Sequence, residues 1–382
     1  MDLSGLRVAL TSGNYNYTRD GANKSLNRLV GFLLQRGAAV RVYSPIVEKP
    51  AFAPTGDLIG TPSVPVPLRP EYRIPLGIGN AVRADIDAFA PTLVHVSAPE
   101  FLGHSALRYA RRNGLPVVAS VHTRFDTYLR YYRLGFVEPA VTALLRRFYR
   151  RCDALLTPSA SMADVLRAQR MNDDIGIWSR GVEHDVFHPG RRDLPWRRSL
   201  GIGDEEVVVG FFSRLVLEKG LDVFARVVSE LRRRSVPHRV LIVGEGPARD
   251  AFAAQVPDAV FTGFLSGTDL ARAVASMDIL LFPSVTETFG NVTLEAMACG
   301  VAVVGANATG TASLVDDGVT GRLLEPDDID GYADAVRHYI ADPVARAAAG
   351  RAGARAAEAY HWDTINAAVA RTYLRVIERR SR

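Results

Sequence analysis

Two glutamates in the second half of the sequence are spaced so that they could hold a polar ligand between them. Glu287 lies in a polar loop, and Glu295 follows eight residues later, about one turn into a predicted helix. Between them Gly290 lets backbone N–H groups at the start of that helix approach an anion closely. Because carboxylates accept paired hydrogen bonds from neighbouring hydroxyls, the pattern predicts a nucleotide diphosphate sugar, with Glu287 at the sugar and Glu295 at the ribose.

Two cations follow an earlier apolar run. Arg214 and Lys219 come after the predicted strand 207–212 and straddle a turn before the next helix. Fixed cations beside a helix N-terminus can hold a pyrophosphate and stabilise its charge as a leaving group without a metal ion. If the two cations have this role, we expect no metal ion and no cofactor beyond the donor substrate. Two solvated surface cations would give the same sequence pattern.

A glycine turn follows the next strand. Gly244-Glu245-Gly246 begins like a dinucleotide fingerprint, but Arg249 occupies the place of its third glycine, and no acidic residue ends the following strand. The pattern disfavours a nicotinamide oxidoreductase. Such a turn can still approach a nucleotide base.

The elements that must position these residues alternate between short apolar runs and longer helical patterns, in both halves of the chain. Near-continuous apolar strands separated by helices are typical of parallel sheets covered on both faces, so the sequence predicts two doubly wound α/β domains. Ligands of such sheets bind at the carboxyl ends of the strands. The predicted strands are Leu6–Leu10, Ala39–Tyr43, Leu93–Val96, Val117–Val121, Ala154–Thr157, Val207–Phe212, Arg239–Val243, Ala259–Thr262, Ile279–Phe282 and Ala302–Val304.

The aperiodic stretch 188–204 places the domain boundary. We predict an N-terminal domain over 1–190, completed by a C-terminal helix at about 364–382, and a second domain over 191–363. The proline-rich stretch 45–75 reads as a surface excursion of the first domain.

Composition bounds the protein class. The chain has 382 residues, of which 48% are hydrophobic and 23% charged, the balance of a well-cored soluble protein. Cys152 and Cys299 are too few for a disulfide framework or a cysteine-based zinc site. We expect no secretory signal, no transmembrane helix and a cytoplasmic location.

Charge is distributed unevenly along the chain. The net +5 combines +7 over residues 1–190, −6 over residues 191–370 and +4 over residues 371–382. The segment Arg124–Arg151 mixes aromatic residues with seven arginines. Such a segment can lie on an anionic membrane surface, or it can be a core helix with a solvated basic face. Nucleic acid is not an expected partner, since no recognised motif accompanies the charge.

In order and spacing, the motifs of the second half resemble the donor-binding domain of retaining GT-B glycosyltransferases of family 4. One departure is Ser313, where the family usually has a glutamate. The matching segments are Ser213-Arg214-Leu215, Glu218-Lys219-Gly220, Gly244-Glu245-Gly246-Pro247, Phe264-Leu265, Pro283-Ser284, Glu287-Thr288-Phe289-Gly290, Glu295–Gly300, and Gly318 to Gly321 with Pro326 and Asp327.

The resemblance implies a GT-B fold, with an N-terminal acceptor-binding domain, a C-terminal domain that binds the nucleotide-sugar donor, both Rossmann-like, and a cleft between them. It implies retaining transfer of a hexose from a UDP- or GDP-sugar to a hydroxyl acceptor, with the leaving phosphate taking the acceptor proton. The implied catalytic residues are His122, Glu287, Arg214 and Lys219. The implied donor-binding residues are Gly21, Gly244, Gly246, Phe264, Leu265, Thr288, Phe289, Gly290, Asn291 and Glu295.

The first half resembles a lipid-directed subgroup that includes sulfolipid synthases and GDP-mannose-dependent lipid mannosyltransferases. The matching segments are Gly21-Ala22-Asn23, Asn27-Arg28-Leu29 and His122–Tyr132. This implies a membrane lipid acceptor, such as a diacylglycerol or a ceramide-type lipid, and an enzyme held peripherally on the inner face of the cell membrane.

Three residues of that region are candidates for acceptor contact or specificity, namely Arg124, Asp126 and Tyr128. The first two depart from the subgroup pattern. Arg124 can meet an acidic group on the sugar or an acceptor phosphate, or it can pair with Asp126. Gly21 can reach the donor phosphate or simply form a turn.

Other functions fit parts of the pattern. A GT-B enzyme with a soluble acceptor (a polysaccharide or a sugar phosphate), a nucleotide-sugar epimerase and a non-catalytic nucleotide-sugar-binding protein all remain open. The presence of Arg214, Lys219, Glu287 and Glu295 together argues against the non-catalytic protein.

Overall fold

The protein is described here from a computed structural model covering residues 1–17, 21–66, 69–121 and 135–381. The chain folds into two compact units, Met1–Arg180 with Trp362–Arg382, and Gly181–His361. Each unit is built on a parallel sheet with helices between its strands, which confirms the predicted α/β fold class.

In the described part of the N-terminal unit, seven parallel strands form one sheet in the order β3-β2-β1-β6-β7-β8-β9, and β4 and β5 pair apart from it. Its strands are β1 (Arg7–Thr11), β2 (Ala39–Ser44), β3 (Asp57–Gly60), β4 (Ser63–Val66), β5 (Arg69–Pro75), β6 (Leu93–Val96), β7 (Val117–Ser120), β8 (Ala154–Thr157) and β9 (Ile175–Ile177). Its helices are α1 (Gly21–Gln35), α2 (Asn80–Phe89), α3 (Phe101–Arg112), α4 (Glu138–Tyr149), α5 (Ala160–Ala168) and the C-terminal helix (Trp362–Ser381). Every residue of β6, β7 and β8 is buried, as expected for central strands covered on both faces.

The proline-rich stretch is more regular than the sequence suggests. It supplies the edge strand β3 and an antiparallel hairpin formed by β4 and β5, with a bulge between Pro65 and Val66. Proline is tolerated in such strands because a two-stranded ribbon leaves one side of each strand without ladder hydrogen bonds.

A buried histidine ties the C-terminal helix to the N-terminal unit. His95 lies inside β6, its Nδ1 is hydrogen-bonded to the Tyr373 hydroxyl of the C-terminal helix, and its Nε2 lies 3.1 Å from Ser120 Oγ. Burial lowers the pKa of His95 to about 3, so the ring stays neutral in the folded chain. The packing of the neutral His95 ring contributes fully to folding stability above pH 6.5. This contribution is lost as the pH falls toward 3, because the unfolded chain then binds a proton that the folded chain does not.

We expect Tyr373→Phe to destabilise the protein by about 1–3 kcal/mol, since it leaves a buried ring nitrogen without its partner. Chemical denaturation followed by circular dichroism measures the change. Tyr332→Phe is the matched control, because the buried Tyr332 hydroxyl has no hydrogen-bond partner within the described residues. Equal stability of Tyr373→Phe and wild type would contradict the role given to this contact.

The C-terminal unit contains six parallel strands in the order β12-β11-β10-β13-β14-β15. They are β10 (Val208–Phe212), β11 (Arg239–Val243), β12 (Val260–Phe261), β13 (Ile279–Phe282), β14 (Ala302–Ala306) and β15 (Gly321–Leu324). The helices are α6 (Leu194–Ser199), α7 (Leu221–Arg233), α8 (Arg249–Gln255), α9 (Gly267–Ala275), α10 (Asn291–Ala298), α11 (Ile329–Ala341) and α12 (Pro343–Ala357). The order runs outward from β10 to β12 and resumes on the other side at β13, so the loops after β10 and β13 flank a topological switch point.

The two units meet along the chain ten residues before the predicted boundary of 190. The residues just before that boundary already belong to the second unit. Val182 is buried in its core and donates a backbone hydrogen bond to the Tyr360 carbonyl oxygen, 3.1 Å away. Within the aperiodic stretch 188–204, Arg192 is paired with Asp278 at 2.8 Å. This contact anchors the stretch to the second unit.

None of the helices in the described ranges is long and apolar enough to cross a membrane.

Candidate functional site

The predicted catalytic residues of the C-terminal unit lie on loops at the carboxyl edge of its sheet. Arg214 and Lys219 follow β10, and Glu287 follows β13, so they flank the switch point from both sides. Gly244 and Gly246 follow the neighbouring strand β11. Open parallel sheets bind ligands at this place, because the loops diverge there and leave a crevice.

Lys219 and Glu287 form an ion pair across the switch point. The Lys219 ammonium donates to Oε1 of Glu287, and the two side chains are 16% and 15% exposed. The Ser284 hydroxyl lies 3.4 Å from the same carboxylate oxygen. The pair fixes both side chains before a ligand arrives, and it neutralises the ammonium that the sequence analysis treated as a phosphate-binding cation.

Contacts between the two loops hold this pair in place. The hydroxyls of Ser284 and Thr286 donate to the carbonyl oxygen of Glu218, at 3.4 and 3.1 Å. Gly220 has a φ of +76°, and a Cβ there would lie 2.6 Å from the Pro283 carbonyl oxygen. A side chain at this position would therefore separate the loops that carry Lys219 and Glu287.

Gly310 is a supporting residue that the sequence analysis did not identify. It follows β14, and a Cβ at this position would lie 2.5 Å from the Cβ of Glu287 and 2.7 Å from its carbonyl oxygen. The loop after β14 therefore closes against the backbone of Glu287. The sequence offers only a glycine in a strand-to-turn loop as a signal, and many glycines share that setting.

Arg214 differs from Lys219 in its surroundings. Its side chain is exposed, and it makes no hydrogen bond or ion pair with any residue in the described ranges. The guanidinium is thus available to an anion, whereas Lys219 is already engaged.

The glycines after β11 allow two loops to pack backbone against backbone. Gly244 has a φ of +140°, and a Cβ there would collide with the Ser213 carbonyl oxygen. A Cβ at Gly246 would collide with the carbonyl oxygen of Leu215, whose N–H donates to Glu245 at 2.9 Å. Loop packing is therefore a sufficient reason for both glycines, and contact with a nucleotide stays a prediction.

The helix predicted between the two glutamates is α10. Gly290 precedes it with a φ of +98°, Asn291 is exposed at its first position, and Glu295 is half-buried one turn later. Thr288 is also half-buried. Phe289 is only 4% exposed, and its ring centroid lies 5.8 Å from that of Tyr360. Because the ring is buried, we expect this residue to contact a ligand through its backbone.

Comparison with known proteins decides the family. Residues 206–342 match the family described as glycosyl transferases group 1, and residues 19–186 match Glycosyltransferase Family 4. A GDP-mannose-dependent alpha-mannosyltransferase of Mycolicibacterium smegmatis is 34% identical over 386 residues, covering 98% of this chain and 99% of the relative. The chain belongs to the family 4 glycosyltransferases.

Further relatives agree with this membership, and a solved structure shares the fold. A GDP-mannose-dependent alpha-mannosyltransferase of Corynebacterium glutamicum is 30% identical, covering 88% of this glycosyltransferase and 81% of the relative. Sulfoquinovosyl transferase SQD2 of Arabidopsis thaliana is also 30% identical, covering 80% and 61%. The sucrose-phosphate synthase of Thermosynechococcus elongatus superposes with a TM-score of 0.79 at 18% identity, covering 98% of this chain and 99% of the synthase, and shares the GT-B fold.

An exposed aromatic residue borders the glycine turn of the glycosyltransferase. Phe264 follows β12 and is 68% exposed, while the preceding Gly263 carbonyl oxygen accepts the Gly244 N–H at 2.8 Å. Leu265 is half-buried against the core. An exposed ring next to a strand-end turn can stack on a nucleotide base, which fits the predicted donor role of this pair.

The N-terminal unit carries the remaining predicted residues. Gly21 begins α1, and the next residues, Ala22 and Asn23, line a pocket at the carboxyl edge of this unit's sheet. His122, Arg124, Asp126 and Tyr128 lie outside the described residues. Within those that are described, no group of three or more histidine, cysteine, aspartate or glutamate side chains is placed to hold a metal ion.

Proposed function

We propose that this glycosyltransferase moves a hexose from a UDP- or GDP-sugar to a hydroxyl of a membrane lipid, with retention of the anomeric configuration. The observation that carries the proposal is the Lys219–Glu287 pair at the switch point, with Glu287 on the loop that leads into α10 and the exposed Arg214 on the same loop as Lys219. It combines a sugar-binding carboxylate with cations for a departing diphosphate. The relatives named as GDP-mannose-dependent enzymes support the donor class.

The chemistry follows from these charges. As the donor binds, hydroxyls of its sugar replace Lys219 as partners of Glu287, and the ammonium turns to the phosphate. Arg214 and Lys219 then stabilise the negative charge that develops when the bond between the anomeric carbon and the phosphate oxygen breaks. The acceptor oxygen attacks the same face, and the leaving phosphate oxygen takes its proton. Because two side chains supply the positive charge, the step needs no metal ion.

Glu295 and His122 complete the proposed donor site. Glu295, one turn into α10, accepts hydrogen bonds from the ribose hydroxyls. His122 contacts the donor sugar, as the resemblance implies.

A screen of donors against acceptors tests the function. Each of three donors, UDP-glucose, UDP-glucuronate and GDP-mannose, is incubated with dioleoylglycerol, ceramide and lipid extract of the source. The products are identified by mass spectrometry. We expect a lipid product with one added hexose, and its one-bond C1–H1 coupling, measured by NMR, should show the anomeric configuration of the donor. Product with the opposite anomeric configuration, turnover of donor without any lipid product, or no turnover of any donor would overturn the proposal.

We further propose that the enzyme works at the inner face of the cell membrane through its basic N-terminal half and tail. Those parts carry +7 and +4 of net charge. Liposomes containing anionic lipid should bind the protein in a flotation assay, and salt should release it, because the contact is electrostatic. Equal binding to neutral liposomes would contradict this contact.

A further inference from the structure

The first and last residues of the C-terminal unit are paired with each other. The unit begins at Gly181 and ends at His361, so these are also the two points at which the chain passes from one unit to the other. The Val182 N–H donates to the Tyr360 carbonyl oxygen at 3.1 Å. The ring centroids of His184 and His361 lie 4.5 Å apart. A backbone hydrogen bond and a ring contact therefore fix the two ends of the unit against each other.

Tyr360 extends this pairing to the loop 283–290, which carries Glu287 and which we call the donor loop. The Phe289 ring is 4% exposed and meets the Tyr360 ring edge to face, with 5.8 Å between the centroids. Tyr360 itself is half-buried against the core of the unit. Because edge-to-face contacts stabilise a ring pair beyond the area that it buries, Tyr360 holds the middle of the donor loop against the end of the unit.

The position of the Phe289 ring affects the groups on both sides of it. Only Thr288, Phe289 and Gly290 separate Glu287 from the start of α10. A shift of the ring would move the Glu287 carboxylate on one side and the first N–H groups of α10 on the other. The carboxylate is the proposed sugar ligand, and N–H groups at a helix start can approach a phosphate. The ring contact therefore bears directly on the donor site.

The contact between His184 and His361 favours an uncharged His184 ring. His184 is half-buried, and its Nε2 has no hydrogen-bond partner within the described residues. Burial, and after it the neighbouring His361, lower the pKa of His184. In a charged histidine both ring nitrogens carry a proton, so Nε2 would become a buried donor without an acceptor. A second histidine beside it would add repulsion once that ring is charged as well.

Acid should therefore release the pair. A histidine in an opened segment titrates near pH 6.5, whereas packed His184 stays neutral to a lower pH. The packed form is fully favoured above pH 6.5, and this preference is lost as the pH falls, because the opened form takes up a proton that the packed form does not. The ionisable groups that act on His184 within the described residues are His361, Glu358 at the end of α12, and Asp185. The two carboxylates attract a proton to His184 and so moderate the effect.

We infer that Tyr360 is a positioning residue for the donor loop and that the His184–His361 pair places this loop under proton control. Above pH 6.5 the paired ends of the unit hold Tyr360 against Phe289, and in acid the pair opens and the loop loosens. The consequence for sugar transfer rests on the proposed function, since the loop carries Glu287. The anchoring itself is a property of the folded chain and is tested without a donor.

Hydrogen exchange followed by mass spectrometry tests the anchoring. The readout is the protection factor of peptides covering residues 287–294, which include the Leu294 N–H that donates to the Gly290 carbonyl oxygen at 3.0 Å. Tyr360→Leu should lower this protection about 10-fold at pH 7.5, because the ring contact is lost. Tyr360→Phe is the matched control and should keep the protection, since it retains the ring.

The same readout at two pH values tests the proton control. In wild type the protection factor of residues 287–294 should fall by up to about 10-fold from pH 7.5 to pH 5.5, the limit for one histidine that titrates near pH 6.5 only when its segment opens. His184→Phe keeps an aromatic ring and removes the titrating group, so the protection should no longer depend on pH. His338→Phe, on an exposed histidine of the same unit, is the matched control and should behave as wild type.

Kinetics connect the anchor to the reaction. Tyr360→Leu should lower kcat/KM for the nucleotide sugar about 10-fold at pH 7.5, in proportion to the lost protection, and Tyr360→Phe should restore it. The fall of wild-type kcat/KM between pH 7.5 and pH 5.5 should be smaller in His184→Phe. A structural role of Tyr360 elsewhere in the unit would leave this pH profile unchanged in His184→Phe.

The outcomes separate this inference from the proposed function. Unchanged protection of residues 287–294 in Tyr360→Leu, or the same pH dependence in His184→Phe as in wild type, overturns the inference even if the protein transfers sugar to lipid. The expected exchange pattern in a protein that turns over no donor supports the anchor and overturns the proposed reaction. Peptides covering β11 report global unfolding, and if Tyr360→Leu loses protection there as well, the pH dependence of His184→Phe decides the inference.

Discussion

Replacing Lys219 by methionine should lower kcat for sugar transfer by about 10²- to 10³-fold, the usual cost of removing one group that stabilises a developing negative charge. The long apolar side chain keeps most of the lysine volume, but it removes the ammonium that pairs with Glu287 and that we assign to the leaving phosphate. Initial rates of nucleoside diphosphate release, with and without acceptor, measure the loss.

A double variant separates charge stabilisation from the stability of the pair. Lys219→Met leaves a largely buried carboxylate without its partner, so part of any loss can come from local rearrangement. Lys219→Met combined with Glu287→Gln restores neutrality, and we expect it to melt near wild type while remaining inactive. Lys49→Met, on an exposed lysine of the N-terminal unit, should keep full activity. A kcat for Lys219→Met within threefold of wild type would contradict the role of this residue.

Gly310→Ala should lower activity by about 10- to 100-fold although it adds a single methyl group. Gly310 has an ordinary helical φ of −76°, so the change introduces no backbone strain of its own. Its Cβ would instead press on the Cβ and carbonyl oxygen of Glu287, at 2.5 and 2.7 Å, and would displace the sugar-binding carboxylate. Misplacement of a catalytic group by about 1 Å is enough for a loss of this size.

The kinetic constants identify the cause. The displaced carboxylate belongs to the sugar site. Gly310→Ala should therefore weaken binding of the nucleotide sugar, while the affinity for the free nucleoside diphosphate stays within about twofold of wild type. Gly5→Ala is a control for glycine replacement in general, since a Cβ there would meet nothing within 4 Å. Wild-type kinetics for Gly310→Ala would show that the loop after β14 does not position Glu287.

The fold was predictable because its signals are local. Each predicted strand overlaps one in the structure, since buried parallel strands such as 93–96 and 279–282 are continuous apolar runs. The hairpin formed by Ser63–Val66 and Arg69–Pro75 was not predicted, because its prolines suggested loop, whereas an isolated ribbon tolerates them. The unit division after Arg180, ten residues from the predicted boundary, had no local signal either, since the contacts around it come from residues far away in the sequence.

The site was predictable in its members and not in its pairings. The strand ends place Arg214, Lys219 and Glu287 at one edge of one sheet, and the sequence indicated all three. The bond between Lys219 and Glu287 joins residues 68 positions apart, and no local pattern encodes it. For the same reason the contact between Gly310 and Glu287 had no sequence signal.

Titration calorimetry of UDP, GDP and their sugar conjugates tests the central claim, that the carboxyl edge of the C-terminal sheet binds a nucleotide diphosphate sugar. We predict 1:1 binding of one nucleotide series. Glu295→Ala should weaken both the free nucleoside diphosphate and its sugar conjugate by about 10-fold or more, the scale of hydrogen bonds to a charged group. Glu287→Gln should weaken only the conjugate. Failure of wild type to bind either series, or binding that neither substitution changes, would contradict the account.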